Sequence, residues 1–178
     1  IVIPPDKLES HGALLRLWVG ALMLTVMGRK RRPKRSTLFL LDECAQLGEF
    51  GPLRQSMTLL RGYGLQVWPF FQDLSQLQRL YPKDWRTIFN NAGVFQLFGV
   101  ANHLMARESA ELIGDVDPDM LRNMAKDRQI IAVSNEKATG ARLPDYLLDA
   151  PFAGQWDANP MFETEGDAVS RKRGGRGR

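Results

Sequence analysis

The sequence predicts an α/β fold: a mostly parallel sheet flanked by helices. Three observations carry that expectation. The run Thr37–Asp42 (TLFLLD) is apolar along its length and ends on two acids, Asp42 and Glu43, as a central strand opening into a ligand crevice does. Three more short apolar runs follow, Leu65–Phe71, Gly93–Phe98 and Gln129–Ser134. Segments of helical periodicity separate them, and strands alternating with helices are the pattern of a parallel sheet.

Taken in order, Ile1–Ile3 reads as the end of a buried strand stopped by Pro4-Pro5. Asp6 to Met27 reads as a helix, with Leu14, Leu17, Trp18, Ala21, Leu22 and Thr25 near one side. Its second half is apolar nearly all round, which predicts burial between other elements. The apolar stretch Leu17–Met27 follows Arg16 and is read as too short to span a bilayer. After the basic loop Gly28–Ser36 comes the strand ending in the acids, buried on both faces. Gly48–Gly51 makes a turn, and Pro52 suits the first position of a helix running to Arg61. On it Leu53, Met57 and Leu60 share a core face, and Arg54, Thr58 and Arg61 share another.

Gly62-Tyr63-Gly64 ends that helix, and Leu65–Phe71 is the second strand, with Pro69 awkward for a central position. Short helices are expected over Asp73–Leu80 and Trp85–Asn90. Asn102–Ile113 is a helix closed by Gly114, and Asp117-Pro118 starts another. Beyond Pro144 the chain reads as loop. The expected organisation is one partial domain over 1–160 and a basic, disordered tail over 161–178. The first residue is not Met and Ile1–Ile3 has the character of a mid-strand, so the chain is expected to be a fragment.

The formal charge of +4 has to be located before it means anything. Eleven of the 24 basic residues lie in Arg29–Arg35 (RKRRPKR) and Arg171–Arg178 (RKRGGRGR), leaving 13 basic against 20 acidic residues and a body of about −7. Two local phosphate-seeking segments on an acidic body is a different proposition from a basic domain. Cys44 is the only cysteine, which excludes an internal disulfide, and nothing near it points to a lowered pKa. His11 and His103 are too isolated for a zinc site and read as structural or surface residues. Trp18, Trp68, Trp85 and Trp156 read as packing residues.

The residues that carry chemistry are Asp42 and Glu43. Two carboxylates at a buried strand end are costly without a purpose. A Walker-B pair supplies one: Asp42 holds Mg²⁺ and Glu43 polarises the water that attacks the γ-phosphate. The plainer alternative is a pair of solvated or helix-capping acids, since four apolar residues followed by Asp-Glu is a common pattern.

Downstream segments make the pattern more specific. LFLLDECAQLGEFGPLRQSMTLLRGYGLQVWPFFQDLSQL resembles the TraG/TraD type of coupling protein of type IV secretion nearly throughout. So do NNAGVFQLFGVAN, the helix end Glu111–Gly114, the segment Lys126–Ile131 and the closing DAPFAGQWDANP, so that the resemblance covers about Ile1 to Pro160. It implies a RecA-like P-loop NTPase that uses ATP and Mg²⁺. Such a hexamer works at the cytoplasmic face of the bacterial inner membrane, reaching the membrane through segments not present here. Its partners are relaxase, single-stranded DNA or protein cargo, and the components of the secretion channel. In that resemblance Asp42 and Glu43 correspond to the Walker-B pair. Arg61 falls where an arginine finger reaches the neighbouring subunit's nucleotide, and Gln72 falls where a glutamine senses the γ-phosphate. Physical chemistry accommodates both roles, because a guanidinium is always charged and forked, and an amide both accepts and donates. Arg61 can equally be the base favoured at a helix C-terminus, and Gln72 a cap.

One departure matters. The phosphate-cradling loop G-x-x-x-x-G-K-[ST] does not occur in these 178 residues. The chain is therefore expected to hold half a catalytic site and not to hydrolyse ATP alone. Two alternatives stand beside the motor reading. One is a generic P-loop DNA pump. The other is a non-catalytic adaptor that docks relaxase or channel and touches nucleic acid through its basic runs.

Overall fold

The computed structural model describes residues 7–157, except Leu60, Ala101 and Asn135. Helix α1 (Leu8–Met27) comes first. Because it is apolar nearly all round, periodicity alone does not choose which stripe packs. The stripe that does is Leu15, Val19, Met23 and Val26, with Met23 and Val26 buried. Leu14, Leu17, Trp18 and Leu22, grouped near one side in the sequence, are exposed, so the expected burial between other elements is not found on that side. The helix also corrects the expectation about length, since Ser10–Met27 is long and apolar enough to cross a membrane by length and composition. Its Met23–Val26 side is nonetheless committed to the protein core.

Strand β1 (Thr37–Leu41) pairs in parallel with β2 (Leu65–Pro69), Thr37 opposite Leu65 and Leu41 opposite Pro69. Between them run a 3-10 turn, Cys44–Leu47, helix α2 (Gly51–Leu59) and a second 3-10 turn, Arg61–Tyr63. Helix α2 thus stops short of Arg61, where the sequence had extended it. Phe39, Leu41 and Val67 face a core made by Met23, Val26, Cys44, Leu47, Phe50 and Leu53. Helices α3 (Leu74–Leu80) and α4 (Trp85–Asn91) close it with Leu77 and Ile88, and Tyr81 joins them from the link between the two.

The opposite side of the β1–β2 pair is bare, which corrects the expectation of a strand buried on both faces. Leu38, Leu40 and Trp68 are 51%, 55% and 43% exposed. Trp68 stacks on Phe70 with centroids 5.3 Å apart. The described helices packed on this core lie on the Phe39–Leu41 side, so alternation along the strand leaves the other set uncovered. Pro69 fits here without penalty. Phe70 N–H donates to Leu41 O at 3.0 Å, so by alternation the Pro69 nitrogen faces away from β1, where no strand among the described residues needs a ladder donor.

A second unit follows. β3 (Val94–Phe98), β4 (Arg128–Val133) and β5 (Thr139–Arg142) form an antiparallel sheet in the order β3-β4-β5. Helices α5 (His103–Ile113) and α6 (Pro118–Arg122) supply Ala106, Ala110 and Leu121 to its core around Ile130. The α/β class stands, but a mostly parallel sheet does not describe these strands. Among the described residues one pair is parallel and two are antiparallel. Helices between β3 and β4 leave their relative direction open. The short link from β4 to β5 permits only an antiparallel return. Strand β5 (TGAR) was not foreseen, having no apolar alternation of its own. From residue 143 to 157 the chain is turn and loop, as expected. The expected strand Ile1–Ile3 and the basic run Arg171–Arg178 lie outside the described residues.

Candidate functional site

The acids sit where β1 ends. Glu43 adopts a left-handed backbone (φ 51°, ψ 44°), a conformation that costs a non-glycine residue about 1–3 kcal/mol. Its surroundings hold it there. Cys44 is buried immediately after it, and Cys44 N–H donates to Phe70 O at 3.0 Å. Gln46 N–H donates to Glu43 O at 2.9 Å, and Glu43 N–H donates to Asp42 Oδ1 at 3.1 Å. The outcome is a sharp exit from the strand that leaves both carboxylates exposed at the rim. Burial pushes the Cys44 thiol up to about 12, so it is an anchor and not a nucleophile.

Parallel register brings the end of β2 to the same rim. Three residues past Pro69, Gln72 Nε2 donates to Glu43 Oε2 at 3.1 Å and to Oε1 at 3.3 Å. Asp42, Glu43 and Gln72, named from sequence, therefore meet at one place.

Arg61 does not join them. Its backbone lies in the 3-10 turn ahead of Leu65, at the opposite end of the strand pair, and its side chain lies outside the described residues. The basic loop Arg29–Arg35 is at that same far end. Thr37 N–H donates to Gly64 O at 2.8 Å, Arg29 donates to Thr37 Oγ1 at 2.9 Å, and Pro33 rides directly over Gly64. The sheet thus has an acidic pole and a basic pole.

Among the described residues no group of three or more His, Cys, Asp or Glu side chains could hold a metal ion. A caged zinc or calcium site is therefore not what the acids form. One exposed carboxylate at a strand end does suit Mg²⁺, which binds through one or two carboxylates with water and substrate phosphates. Asp42 is an exposed carboxylate of that kind.

Two residues that matter here were not singled out in the sequence. Tyr81 Oη accepts from Phe50 N–H at 3.0 Å and pins the loop that follows the Cys44–Leu47 turn; burial pushes its pKa up. Gln76 bonds directly to Gln72. Its signal was present as the spacing Asp73-x-x-Gln76 at a helix start.

Comparison with known proteins gives a consistent picture. Residues 36–143 match the family described as the TraM recognition site of TraD and TraG. The conjugal transfer protein TraG of Agrobacterium fabrum is 38% identical over 81 residues, 46% of this chain but 12% of that protein. The chain thus spans a small part of the curated relatives it matches. A structure of the plasmid coupling protein TrwB in complex with ADP and Mg²⁺ superposes with a TM-score of 0.71 at 21% identity, covering 80% of this chain and 38% of that one. VirB4 of Thermoanaerobacter pseudethanolicus superposes at 0.61 with 15% identity, covering 83% and 40%. The likeness is one of fold, the RecA-like α/β arrangement expected from the sequence.

Proposed function

The chain belongs to the TraG/TraD family of conjugative coupling proteins, and from that premise we propose that it supplies the acid-bearing half of an ATP-driven motor site. The motor couples hydrolysis to delivery of relaxase-bound single-stranded DNA or protein into a type IV secretion channel. The observation that supports this best is the Glu43–Gln72 pair at the C-terminal ends of two adjacent parallel strands, the rim at which open α/β sheets bind their ligands.

In this reading each residue has a separate task. Asp42 holds the Mg²⁺ that, when bound, neutralises charge between the phosphates of ATP. Glu43 accepts a proton from the attacking water and orients it. Gln72 donates its amide N–H to Glu43 and, when nucleotide is bound, to a phosphate oxygen, so that nucleotide state is felt at the start of α3. Arg61, at the other pole, serves the neighbouring subunit of a hexamer. The phosphate-cradling loop comes from elsewhere in the complete protein, and this chain alone is not expected to turn over ATP.

Glu43→Gln in the complete coupling protein tests the assignment. Nucleotide binding is retained and turnover falls by about 10²- to 10⁴-fold, the usual worth of a general base. Unchanged turnover would remove Glu43 from the mechanism.

A docking role runs beside the motor role, favoured by the exposed run Arg29–Arg35 and by the family's described recognition of TraM. Binding of single-stranded DNA over a salt series tests the run. Contacts through these side chains weaken linearly in log–log form as salt rises. A flat response means the loop does not touch phosphates.

A further inference from the structure

Gln72 does not reach Glu43 unaided. Its backbone N–H donates to Gln76 Oε1 at 3.0 Å, and Gln76 Nε2 donates back to Gln72 Oε1 at 3.1 Å. Both ends of this relay have a polarity that cannot be reversed. A backbone N–H can only donate, so it demands the oxygen of the Gln76 amide. That places the Gln76 nitrogen opposite the Gln72 side-chain oxygen, and the Gln72 nitrogen then points at Glu43. An ionised carboxylate can only accept, which is what it meets. We propose that Gln76 is a positioning residue that fixes the polarity of the Gln72 amide, so that Gln72 presents a donor, never an acceptor, to the nucleotide site.

The local fold secures Gln76 in turn. Asp73 caps α3, its carboxylate accepting from Gln76 N–H at 2.8 Å and from Ser75 Oγ at 2.6 Å. In the ordinary capping box the third residue's side chain returns to the cap's own N–H. Here Gln76 reaches one residue further back, to Gln72, and so serves the site as well as the helix. Without it only Glu43 orients the Gln72 amide, whose last torsion is broad and two-fold. An amide drawn from Glu43 toward a phosphate could then present its carbonyl oxygen, and two acceptors repel.

This inference rests on the reading of Gln72 as the nucleotide sensor, and the experiment separates the two. Gln76→Glu keeps an acceptor for the Gln72 N–H, and with it the helix start, but cannot donate to Gln72 Oε1. Gln76→Leu removes both bonds. In the 178-residue chain the side-chain amide signals of Gln72, identified by their loss in Gln72→Leu, are expected to be distinct from those of free glutamine. They move toward free values in both Gln76 variants while the backbone signals of α3 persist in Gln76→Glu. In the complete coupling protein, both variants lower kcat by about 10- to 100-fold, the range for loss of a partner that orients a functional ligand, with KM for ATP little changed. Unmoved Gln72 signals in Gln76→Glu would overturn the proposal. So would wild-type turnover in both Gln76 variants when Gln72→Ala has lost it. Wild-type turnover in Gln72→Ala would overturn the sensor reading instead, and the catalytic sense of the relay with it.

Discussion

The side-chain amide of Gln72 bonds both carboxylate oxygens of Glu43, at 3.1 and 3.3 Å, across 29 positions of sequence. They meet because β1 and β2 run parallel in register, so the residues just past each strand emerge on one rim. Arg61 emerges on the other. Its action on a nucleotide at the acids of its own subunit is therefore not expected. Arg61→Ala should lower turnover by about 10³-fold or more in the assembled oligomer, the worth of an arginine finger given in trans. In oligomers doped with the variant, loss should follow the fraction of mutant neighbours. An equal loss in isolated subunits would count against action in trans.

Cys44 locks the turn after the acids, and burial lifts its thiol to about 12. The native chain should resist alkylation at pH 8–9, whereas the denatured chain reacts readily as its thiol ionises. The sign follows from linkage. With the folded pKa raised, the contribution of Cys44 to stability is complete below the unfolded value of about 8.5 and is lost as pH rises through the folded one. Rapid labelling of the native state would mean that the turn opens freely.

Tyr81→Phe removes the acceptor for the buried N–H of Phe50. An orphaned donor costs about 1–3 kcal/mol, so the midpoint of chemical denaturation should fall accordingly. An unchanged midpoint would show that the N–H finds another partner.

Gly64 has φ +70°, and a Cβ there would meet Pro33 Cδ and Cγ at 2.8 Å. Gly64→Ala is therefore opposed twice, by backbone handedness and by a rigid ring. A loss of more than about 1 kcal/mol is expected in thermal unfolding, with displacement of the basic loop. Neutral stability would place Pro33 elsewhere.

Asp73 is held below the usual carboxylate range by the Ser75 hydroxyl and then by Gln76 N–H. The unfolded chain binds that proton more tightly, so the cap contributes fully above about pH 3.9 and is lost as pH falls through the lower folded value. Asp73→Ala should cost about 1 kcal/mol near neutrality. The difference between variant and wild type should vanish in acid; a constant difference would assign the loss to something other than the charge.

Much of this was legible in the residues. The strand ending at the acids, Gln72 just past the next strand, and the helix closed by Gly114 all came from strong local signals: apolar runs, caps and punctuation. Strand direction in β3–β5 was not legible, because pairing is decided by tertiary contacts and β5 carries no pattern. The packing stripe of α1 was hidden for the opposite reason, since every side of that helix is apolar. Gln76 was overlooked because its partner is a side chain whose position depends on two strands at once. Family resemblance supplied the role proposed for Arg61, which periodicity would have left on a helix.

Between its two poles β1 is five residues long, a span of about 17 Å. In the proposed reading, a nucleic-acid phosphate held by Arg29–Arg35 lies at least that far from a nucleotide held at Asp42 and Glu43. For the proposed motor, an effect of that phosphate contact on hydrolysis would have to cross this distance, along β1 or through a neighbouring subunit. Such a layout would separate grip from ignition, and would make the length and rigidity of β1 a design variable in the proposed motor.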